Sequence, residues 1–105
     1  MALTVTPVTS MLWGNNEALL CDVELGTYPA GGFPIEVGKA EEGKFPVHGE
    51  IVVVLFPNCY DLASFALLFW DRATQTIRVE MSGTEVAVGS DCSGIVFMVM
   101  VIARP

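Results

Sequence analysis

The residues best suited to chemistry in this sequence are three cysteines, Cys21, Cys59 and Cys92, and a single histidine, His48. Cysteine catalysis needs a thiolate and a base to make it, so Cys59 or Cys92 with His48 is the one nucleophilic pairing available. The competing reading treats the thiols as small buried apolar groups or turn residues, and it is the expected one. No two cysteines stand close enough for a C-x-x-C pair, and one histidine completes no zinc pattern, so no metal or cofactor is expected. Asp71 and Asp91 sit in turns, but neither opens an alternating acidic calcium loop. They are expected instead to cap their turns by accepting backbone N–H groups. The stretch Gly89-Ser90-Asp91-Cys92-Ser93-Gly94 lacks the G-x-S-x-G spacing of a nucleophile elbow, and a strand rather than a helix follows it. Gly31-Gly32 is a lone diglycine, which makes no phosphate loop. Trp13, Tyr28, Tyr60 and Trp70 suggest a second chemistry, the stacking of a sugar on an aromatic platform. The competing reading places these rings in a β core. With no catalytic set assembled, the chain is expected not to be an enzyme.

The elements that must carry these residues read almost entirely as strands. Leu3-Thr4-Val5-Thr6 alternates apolar and polar, the mark of a half-buried strand. Leu19, Cys21, Val23 and Leu25 form one apolar face, with Asp22 and Glu24 on the other. Gly14-Asn15-Asn16 is a turn between these runs. Gly26 to Gly32 is a loop, and Phe33-Pro34-Ile35-Glu36-Val37 reads as a short edge strand, where proline's missing donor does no harm. Ile51 to Phe56 is a β-branched run read as a strand buried on both faces. Phe65 to Trp70 and Thr76 to Met81 form a hairpin with Ile77, Val79 and Met81 facing inward. Ser82-Gly83 turns the chain, and Glu85-Val86-Ala87-Val88 reads as a brief strand, with one turn of helix as the alternative.

The last run, Ile95 to Ala103, is apolar at both parities. Ile95, Phe97, Val99 and Val101 fill one face, and Val96, Met98, Met100 and Ile102 the other. Such a strand sits centrally with a covered outer face, or it packs at a subunit contact. The sum is one domain spanning residues 1–105, an all-β antiparallel sandwich or jelly-roll-like barrel of about seven or eight short strands.

Composition narrows the function classes. The chain is 52% hydrophobic and only 16% charged, with a net charge of −7. Ordinary domains carry about 25% charged residues, so part of the apolar surface is expected to meet another protein. Five scattered cations supply no basic stripe for nucleic acid, and an anionic membrane surface is disfavoured on the same ground. The first residues show no basic or apolar leader pattern, and the longest apolar run falls far short of the ~20 residues of a spanning helix. Three widely spaced cysteines suit reduced thiols made in a cytosol.

In order along the chain stand Met1-Ala2-Leu3-Thr4-Val5-Thr6, Tyr28-Pro29-Ala30-Gly31-Gly32, Leu68-Phe69-Trp70-Asp71-Arg72-Ala73, Glu85-Val86-Ala87, and Ser90-Asp91-Cys92-Ser93 feeding an apolar strand that ends in Arg104. This order resembles the decoration (cement) proteins of tailed-bacteriophage capsids. Two departures are a shortened Ser82-Gly83-Thr84 linker and Cys92 at a usually aliphatic position. The resemblance implies a virion protein, made in the host cytoplasm, on the outside of an icosahedral head. Its partner would be the major capsid protein of the same virus, whose neighbouring subunits it bridges, with self-association on the shell. The terminal arms are the candidate contacts: Met1, Ala2, Leu3 and Val5 at one end, Met98, Met100, Ile102 and Arg104 at the other. The alternative for both arms is strand pairing within the domain. A carbohydrate- or ligand-binding sandwich module, built on the aromatic set, is the alternative function.

Overall fold

Hairpins with two-residue turns set much of the architecture. In this computed structural model, which describes residues 3–57, 60–61 and 66–105 (the backbone alone for Trp13, Tyr60 and Asp61), strand β1 (Leu3–Trp13) reverses into β2 (Asn16–Leu25) through Gly14-Asn15. Gly14 has φ +60°, the position that a type II′ turn reserves for glycine. At Ser82-Gly83 both residues have positive φ, 56° and 82°, as a type I′ turn requires, and β7 (Thr76–Met81) passes into β8 (Thr84–Glu85).

The remaining strands are β3 (Phe33–Pro34), β4 (Glu50–Leu55), β5 (Tyr60–Asp61), β6 (Ala66–Asp71) and β9 (Val96–Arg104). They form two antiparallel sheets, one ordered β1-β2-β9-β4 and the other β3-β7-β6-β5 with β8 also on β7. The all-β sandwich expected from the sequence is what the chain forms. Its core is one continuous cluster between the sheets: Leu3, Val5, Cys21, Val23, Phe97, Val99 and Val101 from the first, and Phe33, Leu68, Ile77 and Val79 from the second. The β6–β7 hairpin has the predicted alternation, with Thr76 as a buried exception whose hydroxyl pairs with that of Thr74 at 2.8 Å.

Several expectations change. The first strand runs seven residues past Thr6, because a bulge between Pro7 and Thr9 shifts its register and lets pairing with β2 resume. β4 is an edge strand, so its β-branched run is not buried on both faces. Ile51 and Val54 are buried, whereas Leu55 is exposed, and a register shift between Ile51 and Val53 re-aims the chain. β8 stops at Glu85, and β3 keeps only Phe33 and Pro34 of the longer edge strand expected there. The close approach at β3 needs glycine: Gly32 has φ +96°, and a Cβ there would lie 2.7 Å from the Ile77 carbonyl oxygen. Ile95 lies just outside β9 but stays in the core, its carbonyl accepting the N–H of Leu25 at the end of β2 at 3.0 Å.

Candidate functional site

Directly paired residues of an antiparallel sheet share a face, so register alone lays out the outward side of the β1-β2-β9-β4 sheet. One row across it is Met11, Ala18, Ile102 and Val53, and the next is Thr9, Leu20, Met100 and Leu55. Beyond these come Thr6, Asp22 and Met98, then Thr4, Glu24 and Val96. At the opposite end Arg104 pairs with Glu50 at 3.3 Å. The middle of this face is an apolar band. Val96 is 52% exposed, Leu55 45%, Met11 42% and Met98 36%, while Ile102 and Ala18 are buried. β9 is therefore interior to its sheet, yet its outward row is uncovered at the Val96 end.

The terminal candidates divide accordingly. Leu3 and Val5 are core residues paired with Leu25 and Val23, so strand pairing within the domain, the alternative for that arm, is what they do. Met98, Met100 and Ile102 lie on the outward face, with Ile102 buried, and Arg104 is exposed in its ion pair. Met1 and Ala2 lie outside the described residues. Sequence reasoning missed Leu20, Leu55 and Met11, which complete the band. The signal was their parity, hidden at Met11 by the bulge and at Leu55 by the register shift.

The proposed nucleophilic pair is not brought together. Cys92 donates its N–H to the Gly26 carbonyl just beyond the start of β9, whereas His48 sits where β9 ends, its N–H bonded to Glu17 Oε1 at 2.8 Å beside Ala103. A nine-residue strand at ~3.3 Å per residue separates them by about 30 Å. Burial raises the Cys92 thiol and pushes that of Cys21 up to about 12, with the charge of Asp22 adding to the Cys21 shift. Both are buried and free, as apolar thiols are. Cys59 lies outside the described residues. Glu17 and His48 line a shallow cleft of about 270 Å³ with Leu12, Asn15, Ala103 and Pro105. The imidazole Nδ1 lies 3.3 Å from Glu17 Oε1 but is almost wholly in solvent.

Asp71 and Asp91 cap turns. Asp71 Oδ1 accepts the N–H groups of Ala73 and Thr74 at 3.1 and 3.4 Å, and Asp91 Oδ1 accepts the Ser93 N–H at 2.9 Å and its hydroxyl. Among the described residues no three His, Cys, Asp or Glu side chains converge as a metal site would need.

The outward side of the second sheet is ionic. Arg78 spans Asp71 (3.2 Å) and Glu85 (3.0 Å), and the buried Tyr28 hydroxyl donates to Glu85 at 2.6 Å. Tyr28 packs edge-on against Phe33 with ring centroids 5.4 Å apart, so it offers no face to a sugar. Burial first, and the Glu85 bond next, push its hydroxyl up to about 12. Trp70 is half-buried against the core, its indole N–H buried without an acceptor among the described residues. The side chains of Trp13 and Tyr60 lie outside those described. No helix among the described residues is long and apolar enough to cross a membrane. Comparison with known proteins gives no match: no family model, curated protein or solved structure is significantly similar to this chain.

Proposed function

We propose that this protein is a decoration protein that binds the outer surface of an icosahedral phage head and steadies it by bridging neighbouring major capsid subunits. The observation that carries the reading is the apolar outward band of the β1-β2-β9-β4 sheet, uncovered at Val96, Met98, Leu55 and Met11. A chain with 16% charged residues gains by burying such a face against protein. The capsid as partner follows from the order of short segments along the sequence, from Met1-Ala2-Leu3 to the strand that ends at Arg104.

Stabilisation would work by mass action, since a protein that binds only the assembled shell favours that state. Weak individual contacts suffice where self-association on the shell links many copies and adds their affinities. The test is the composition of gradient-purified particles. The protein is expected on intact heads at near-stoichiometric copy number, and particles that lack it would overturn the proposal.

A further inference from the structure

The apolar band has an asymmetric border. At its Val96 end stand Asp22 and Glu24, both exposed, neither with a cationic partner among the described residues. At its other end Glu50 and Arg104 neutralise each other. Of the chain's five cations, Arg78 is held on the second sheet between Asp71 and Glu85, and Lys44 pairs with Glu42 in the loop between β3 and β4. Lys39 lies in that same loop, and Arg72 in the β6–β7 turn. None of these four falls on the outward rows of the first sheet.

A docked partner must therefore supply both apolar surface for the band and positive charge for its acidic end. Like charges juxtaposed at an interface oppose association, and complementary ones steer it. A second copy of this chain matches poorly. It carries the same net charge of −7, and the cation on its own outward face, Arg104, is already paired.

The geometry points to a partner of one kind: a different protein whose docking surface is an apolar prominence bordered on one side by lysine or arginine, which would meet Asp22 and Glu24. This rests on the reading of the outward face as a contact surface, and it holds whether or not that partner is a capsid subunit.

Two synthetic β-hairpin peptides can serve as probes, identical in an exposed Leu/Ile face and rimmed either by lysines or by glutamates. Titrated into the ¹⁵N-labelled protein, the lysine-rimmed peptide is expected to shift amides of Leu20, Asp22, Leu55, Val96 and Met98, with binding weakened by added salt. The glutamate-rimmed peptide is expected to leave them in place. Asp22→Lys/Glu24→Lys should weaken the lysine-rimmed peptide about tenfold and reverse the preference. Asp22→Asn/Glu24→Gln, isosteric at two exposed positions, should give an intermediate loss and guards against misfolding of the reversed variant.

Equal binding of both peptides, binding of neither, shifts away from this face, or indifference to the rim variants would each overturn the inference. So would concentration-dependent shifts of the same amides without peptide, which would assign the face to a second copy. The particle-composition experiment reports on the capsid separately. Absence from heads together with the expected peptide behaviour would remove the capsid and leave this surface standing.

Discussion

The outward sides of the two sheets are built by the same alternation and end up with opposite needs. On the second sheet Arg78 sits between Asp71 and Glu85, and Tyr28 adds a hydroxyl donor from the loop after β2. Every strong charge in that cluster has its counterpart within the chain. On the first sheet the outward rows are mostly apolar, and the charges at one end, Asp22 and Glu24, have no counterpart there among the described residues. The self-neutralised part of the second sheet is that cluster, beside which Phe69 stays exposed and Glu80 faces Glu85 across the β7–β8 pair. The first sheet instead keeps exposed apolar groups and an unbalanced acidic edge on its outward side, and the proposed docking rests on that contrast.

The largest test of the contrast lies on a single strand. Phe97 and Val96 are neighbours in β9, the first 1% exposed in the core and the second on the outward band. Phe97→Ala should cost about 3–5 kcal/mol, the usual range for emptying an aromatic site in a core. Val96→Ala should change stability by no more than about 0.5 kcal/mol. Urea midpoints at constant m-value measure both. Similar losses would mean that the outward row is covered in the isolated protein, and the contrast would fail.

Cys21 sharpens the same division from beneath, since it lies on the core side of β2 beside the outward Asp22. Its folded pKa is raised from 9.0 to about 12, so its contribution is full below pH 9 and is lost as pH rises toward the folded value. Between pH 9 and 12 the unfolded chain ionises while the native thiol stays neutral, so stability should fall as pH rises through that window. In a Cys59→Ala background, adding Cys21→Ala should flatten that limb of the stability profile. An unchanged slope would show that the core side of β2 is wetter than its burial indicates.

How much of this was legible in the sequence differs by element, for physical reasons. The β6–β7 hairpin was plain because Ile77, Val79 and Met81 alternate without interruption and Asp71 marks the turn. The far half of β1 was hidden because Pro7 and the bulge break period-two patterning, so Met11 and Leu12 do not continue the phase of Leu3 and Val5. β4 misled because a β-branched run looks the same at an edge as in a sheet centre; its place was decided by β9, far downstream, in pairs from Glu50–Arg104 to Leu55–Met100. The two-sided apolar character of β9 was legible, because its interior place in the sheet and its apolar outward row both follow from that pattern. The Tyr28–Glu85 bond joins residues 57 apart, and no local pattern announces it.

Tyr28→Phe tests the self-satisfied side. Removing one hydroxyl from a buried ring takes a hydrogen bond from Glu85, at a cost of about 1 kcal/mol. The carboxylate keeps Arg78 and reaches solvent, so the loss should not grow toward the cost of an emptied core site. Thermal unfolding with and without the substitution reads it. A loss comparable with that of Phe97→Ala would show that the hydroxyl holds the whole loop between Gly26 and Gly32 in place.

The smallest effect should be the acid limb of the stability profile. The Tyr28 hydroxyl bond, with Arg78 behind it, lowers the Glu85 carboxyl from its ordinary 4.5. Partial desolvation works to raise Asp71, but the Thr74 and Ala73 N–H groups and Arg78 outweigh it and leave that carboxyl below 3.8. A lowered folded pKa means stability that is complete above the unfolded value and drains away as pH falls through the folded one. The loss should therefore begin near pH 4.5 and deepen below 3.8. Arg78→Met should shallow this limb by removing the cation from both carboxylates, whereas Phe69→Ala, an uncharged change on the same outward side, should leave its shape alone. Solvent reaches all three charged groups, so screening keeps the effect modest, and added salt should shrink it further. An acid limb indifferent to Arg78 would mean that the second sheet's charges are ordinary solvated ones, and that the two outward faces differ only in their apolar content.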